Sequence, residues 1–126
     1  MPQSTIRMYR KSDGTIPLGE WLDELEVREP RAYKKYLDRI ILLEQLGSEL
    51  RRPVADILRD GIRELRAKVG TVNYRILYFF SGSNIVCLSH GFTKESDVPE
   101  DEIDLAIQRK NLVSRDPDRY SAEWER

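Results

Sequence analysis

Hydrophobic and polar positions divide the chain into a mainly helical first part, a stranded middle and a helical end. Residues 5–10 (TIRMYR) alternate as a short strand, with Ile6 and Met8 on one face. The cluster Ser12-Asp13-Gly14-Thr15 is a turn signal, and Pro17 is suited to open a helix because its missing N–H would have no partner there. Leu18, Trp21, Leu22 and Leu25 then recur at helical spacing. Pro30 opens a second, longer helix in which Tyr33, Tyr36, Leu37, Ile40 and Leu43 form the apolar stripe. Lys34, Lys35, Asp38 and Arg39 fall mostly outside that stripe, and Gly47 is a natural stop. Residues 48–60, with Pro53, are expected to form a short helical turn or a loop over the sheet edge.

Residues 62–68, 72–80 and 84–91 read as three consecutive strands, joined at 69–71 and 81–83 by connections of hairpin length that contain glycine. Along the middle strand, Asn73, Arg75, Leu77 and Phe79 share one face, and Val72, Tyr74, Ile76, Tyr78 and Phe80 share the other. Ser96-Asp97-Val98-Pro99-Glu100 has the capping residue, early proline and acids of a helix start, with Ile103, Ala106, Ile107 and Lys110 on one face of the helix. From about residue 112 the tail is polar, apart from Tyr120 and Trp124, and is expected to be either a short helix that docks these two rings or a segment ordered only by a partner. The expected order is β-α-α-β-β-β-α. This is a single α+β domain over residues 1–126, a small, mainly antiparallel sheet with its helices packed on one side.

At 126 residues and 40 % hydrophobic, the chain can bury a core, and it has no apolar run near the ~20 residues of a membrane helix. Met-Pro-Gln-Ser lacks the basic and apolar regions of a secretory signal, so a cytoplasmic protein is expected. The single Cys87 cannot form an internal disulfide, and one His with one Cys argues against a zinc site. No cofactor is expected. Charge is uneven. Residues 51–94 carry eight Arg/Lys against three acids, whereas residues 95–126 carry five against ten. A basic centre thus sits inside a chain of net charge −1, and the local field matters more to an anionic ligand than the total.

Arg75 projects from an otherwise apolar strand, so it either reaches the sheet edge, pairs with Glu64 on the neighbouring strand or meets an anion. The segments Asp60-Gly61-Ile62-Arg63-Glu64-Leu65-Arg66, Tyr74-Arg75-Ile76-Leu77-Tyr78-Phe79 and Leu88-Ser89-His90-Gly91-Phe92-Thr93-Lys94, with Ala106 in the closing helix, resemble the RelE/HigB superfamily of toxins. The likeness is greatest to its HigB-like, phage-derived branch and runs from about residue 6 to 112.

The resemblance implies the toxin of a type II toxin–antitoxin system. Such a toxin is a metal-independent endoribonuclease that cleaves mRNA on the ribosome and is held in check by a helix-turn-helix antitoxin. It makes Arg75, Arg66, His90 and Lys94 the catalytic candidates, with Lys68, Arg63 and Phe92 as RNA contacts. The second lysine of the family's Phe-x-Lys-Lys is Glu95 here, a departure that bears on activity more than on fold. A guanidinium fork suits phosphoryl oxygens. His90 has the one side chain that titrates near neutrality, so it is an acid/base candidate or else a structural histidine at a strand end. Phe92 can stack on a base or simply pack. The competing expectation is a non-catalytic protein of the same fold that acts by binding, as an antitoxin/DNA complex subunit or a gyrase-type inhibitor.

Overall fold

Two prolines fix the start of the helical layer in the computed structural model, which describes residues 4–93 and 97–124. Pro17 opens α1 (Pro17–Arg28) and Pro30 opens α2 (Pro30–Leu46), while Glu29 alone, at φ −143° and ψ 78°, turns the chain between them. Leu18, Leu22 and Leu25 of α1 and Ala32, Tyr36, Ile40 and Leu43 of α2 are buried at one-turn intervals. Gly47, at φ 55°, ends α2 and donates its N–H to the Leu43 carbonyl. A short 3₁₀ turn follows (Gly47–Glu49), then the three-residue β2 (Ala55–Ile57), so residues 48–60 contribute an edge strand as well as a turn.

The expected meander is present as β3 (Arg63–Val69), β4 (Val72–Phe80) and β5 (Ile85–Thr93). β1 (Thr5–Tyr9) runs parallel to β5, and β6 (Ser121–Glu123) pairs antiparallel with β1. Among the described residues the sheet has six strands in the order β2-β3-β4-β5-β1-β6. The tail therefore docks both of its aromatic rings, Tyr120 and Trp124, on the two cores, and it also adds a strand to the sheet. α3 (Glu100–Arg115) leads through α4 (Pro117–Tyr120) into β6, where Arg7 donates to the buried Ser121 hydroxyl and carbonyl at 2.8 and 3.0 Å. The expected Ser96 cap lies outside the described residues, and α3 starts after Pro99 with Glu100, Asp101 and Glu102 in its first turn.

The α+β class and mainly antiparallel sheet are as expected, but the helices are divided between both faces. α1 and α2 pack on Ile6, Met8, Leu65, Tyr74, Ile76, Tyr78 and Leu88, while α3 packs on Leu77, Phe79 and Cys87 of the reverse face. The cause is in β4, whose run of apolar residues faces both ways and so needs cover on both sides.

β5 contains a bulge. Leu77 pairs with His90, yet Tyr78 pairs with Leu88, so Ser89 is an extra residue. Val86 and Leu88 face α1 and α2, and simple alternation would send His90 the same way. The bulge instead turns His90 and Phe92 to the α3 face and presents Gly91 to α1, where a Cβ would overlap the Trp21 ring. Gly91→Ala is therefore expected to destabilise the fold by about 1–3 kcal/mol through overpacking. The penalty should shrink when measured by urea unfolding in a Trp21→Leu background.

Candidate functional site

Alternation along β3 puts Glu64, Arg66 and Lys68 on the α3 face, and the β4 register sets Arg66 directly opposite Arg75. Two like charges so placed repel. Glu64, one step along β3 and only 1 % exposed, resolves the conflict. Arg75 Nη1 lies 2.9 Å from both of its oxygens, and Arg66 donates Nε to Oε1. Arg66 also donates Nη2 to Asp56 of β2 at 3.1 Å, and Arg52 reaches the same oxygen at 3.0 Å. The Arg52 hydrogen bond is the main reason that the Asp56 carboxyl is held below its ordinary value.

Arg66 and Arg75 line two cavities. One, of about 230 Å³, is lined also by Lys35, Arg39, Lys68, Asn73 and Tyr74. The other, of about 350 Å³ on the α3 side, includes Asp56, Arg59, Glu64, Asp97, Glu100 and Ile103. Arg59 is committed there to Asp60, Glu100 and Asp104, at 3.0, 2.6 and 2.6 Å.

The structure separates the remaining candidates. Phe92 is the cross-strand partner of Arg75, and its ring lies 5.8 Å from His90 at a 30° tilt. Lys68 is an exposed neighbour of Arg66 on the same face. Arg63 points to the opposite face, where it covers the Phe80 ring at 5.0 Å and donates to the Ser48 carbonyl, so it does not join the cluster. Lys94 and Glu95 lie outside the described residues.

His90 is buried rather than presented. Its Nδ1 is 2.7 Å from the Ser89 hydroxyl, and its Nε2 faces Glu102 of α3 at 3.5 Å. Burial, with a smaller contribution from Arg109, lowers its pKa to about 4, so the imidazole is neutral at pH 7. Burial likewise raises the Glu102 carboxyl. Arg109, itself buried, donates to the Ser89 carbonyl at 3.2 Å and stacks over Tyr9 at 4.6 Å, tying α3 to the bulge.

Lys35, Arg39, Asp56, Glu102 and Arg109 were not singled out in sequence. The only signal for the first two is their place off the apolar stripe of α2. Arg109 shares the buried stripe of Ile103, Ala106 and Val113, one step round from the expected face that ended in Lys110. Among the described residues no cluster of three or more His, Cys, Asp or Glu could hold a metal ion, and no helix is long and apolar enough to cross a membrane.

Residues 20–111, well over half of the chain, match the family described as phage-derived protein Gp49-like (DUF891). The chain belongs to the Gp49-like family. That family lies within the toxin–antitoxin RelE/Gp49 superfamily, so the coarse expectation of a toxin-like protein with an antitoxin partner is supported. The Gp49-like segment contains Glu64, Arg66, Arg75, His90 and Phe92, and excludes β1 and β6. A search of curated proteins found no match.

Two measurements probe this site. Glu64→Ala would remove the carboxylate that Arg66 and Arg75 share across the strands, and should cost about 3–5 kcal/mol in urea unfolding. Glu64→Gln, which keeps an acceptor, should cost less. His90 sets a pH dependence. Its pKa is about 4 folded against 6.5 unfolded, so between those values the unfolded chain binds the extra proton. Its contribution is complete above pH 6.5 and is lost as pH falls toward 4, by about 3 kcal/mol in all. Glu102, raised when folded, acts with the opposite sign. Unfolding free energies from pH 4 to 7 should therefore show a shallower rise in His90→Gln than in the wild type.

Proposed function

We propose that this chain is the toxin of a type II toxin–antitoxin pair of the HigB-like kind, an endoribonuclease that cuts mRNA on the ribosome without a metal ion. The observation that carries the reading is the Arg66–Arg75 pair, held across β3 and β4 by buried Glu64 on the wall of a basic cleft. In the proposed reaction the RNA 2′-hydroxyl attacks the adjacent phosphorus and gives its proton to water, the P–O5′ bond breaks, the leaving 5′-oxygen takes a proton from water, and a 2′,3′-cyclic phosphate and a 5′-hydroxyl result. Arg66 and Arg75 stabilise the charge that develops on the phosphoryl oxygens. Fixed donors of this type contribute roughly 10²–10³ in rate.

His90 acts in this scheme as a positioning residue. Neutral and buried, it supports the Phe92 ring opposite Arg75, where the ring can stack on a base flanking the scissile phosphate. Lys94 keeps the role that the resemblance gives it, a cation for the same phosphate. The inhibitory partner is a helix-turn-helix antitoxin, and the site of action is the cytoplasm.

A second reading, a non-catalytic subunit acting by binding, is favoured by one specific arrangement. Glu64 and Asp56 already neutralise much of the arginine pair, and His90 Nε2 faces Glu102 rather than a cleft. Induced expression in bacteria separates the two. The wild type should arrest growth and produce new mRNA 5′ ends inside translated codons. Arg75→Ala and Arg66→Ala, shown folded by thermal melting, should lose both effects. Arrest without new ends, or arrest that persists in both variants, would favour the binding subunit.

A further inference from the structure

β2 covers only part of the outer edge of β3. Its pairs with β3 run from Arg63 to Leu65, and the Arg66 N–H is taken by the Val54 carbonyl. Beyond that point the edge has no strand beside it among the described residues, yet its carbonyls are occupied. Arg39 Nε donates to the Arg66 carbonyl at 3.2 Å and Lys35 Nζ to the Lys68 carbonyl at 2.8 Å. The spacing is commensurate. Residues i and i+4 on a helix are about 6 Å apart along its axis, and alternate residues of a strand are about 6.6 Å apart. Two cations of α2 thus cap two successive outward carbonyls of β3.

Capping uses a single donor on each. A lysine ammonium has three N–H groups and a guanidinium five, so Lys35 retains two donors and Arg39 the four on its Nη atoms. Both side chains line the 230 Å³ cleft with Arg66, Lys68, Asn73 and Arg75. No carboxylate lines this cleft among the described residues, whereas Asp56, Glu64, Asp97 and Glu100 line the cavity on the α3 side. The cationic excess therefore gathers toward α2.

We infer that Lys35 and Arg39 form a second phosphate-binding station, which holds the backbone of single-stranded RNA beside the phosphate bound at Arg66 and Arg75. The inference rests on the RNA reading and adds to it a direction. The strand leaves the arginine pair over the uncovered edge of β3 and onto α2. The hydrogen bonds to the β3 carbonyls fix both cations, so that little side-chain freedom is lost when a phosphate arrives.

The test is fluorescence anisotropy with a short single-stranded RNA carrying 2′-methoxy groups, which binds without being cut, over a range of KCl concentrations. Lys35→Gln and Arg39→Gln keep a donor for the β3 carbonyl and remove the charge, so the edge stays capped. Each should weaken binding several-fold and lower the slope of log affinity against log salt by about 0.7, the value for one lost phosphate contact on a single strand. Lys34→Gln, on the exposed side of the same helix, should leave the slope unchanged.

If Arg75→Ala weakens binding while Lys35→Gln and Arg39→Gln match the wild type, the station is refuted and the RNA reading stands. A wild type that does not bind the oligonucleotide overturns the station, and the RNA reading is then decided by the growth-arrest and 5′-end measurement. A lower melting temperature with an unaltered salt slope would show that the two side chains only cap the edge.

Discussion

A carboxylate buried to 1 % exposure cannot remain charged without partners, and around Glu64 this requirement organises the site face of the sheet. The register of β3 against β4 places two arginines opposite each other, an arrangement tolerable only with an anion beside them. Glu64 supplies it from within the sheet and fixes both guanidinium groups in place. A slip of one residue between the strands would send Glu64 and Arg66 together to the α1–α2 face and take the Glu64 carboxylate away from Arg75. The same carboxylate competes with any external phosphate. The high count of basic residues in the middle of the chain is thus not an open positive field, because Arg52, Arg59, Arg66 and Arg75 already have acidic partners. In the part of the cleft built by α2 and the end of β3, no carboxylate lines the wall among the described residues.

The bulge at Ser89 is a second constraint, and it acts through Glu64's neighbours. It brings His90 opposite Leu77 and Phe92 opposite Arg75, so that the aromatic residues of β5 continue the face begun by β3 and β4. On the reverse side the same step delivers Gly91 to Trp21, where only a residue without a side chain fits. Arg109 bonds the bulged carbonyl and Glu102 faces the imidazole, so α3 reads the irregularity directly. His90 is embedded in this junction between sheet and helix, which accounts for its depressed pKa and for its distance from solvent chemistry.

Much of this arrangement was legible in the sequence. The division of β4 into two faces follows from alternation, and the same rule applied to β3 puts Arg66 and Lys68 on one face and Arg63 with Leu65 on the other. The proline and glycine signals bounded both helices of the first layer. Pairing was not legible. Nothing local in TIRMY says that β1 joins β5 in parallel, and three-residue strands such as β2 and β6 are too short to show a period. The position of His90 required the bulge, which shifts the alternation by one residue without leaving a glycine or proline at Ser89 to mark it. Lys35 and Arg39 looked like ordinary solvated positions on a helix. Their contact with the carbonyls of Arg66 and Lys68 exists only in the tertiary fold.

The tension between an arginine pair bound to a carboxylate and an arginine pair bound to phosphate is less than it first looks. Glu64 engages Arg66 through Nε and Arg75 through Nη1, and Asp56 takes Arg66 Nη2. The Nη1 group of Arg66 is not used in these contacts. An internal counterion that grips one edge of a guanidinium holds the plane of the fork in a set orientation, and donors fixed in advance stabilise an anion without first having to reorganise. A site of this kind binds a phosphate more weakly than bare arginines would, but in one geometry. For chemistry that depends on in-line attack at a single phosphorus atom, orientation is the scarcer quantity. A neutral environment around Arg66 and Arg75, with the surplus charge a short distance away on α2, suits a strand that is drawn in by one part of the cleft and aligned by the other.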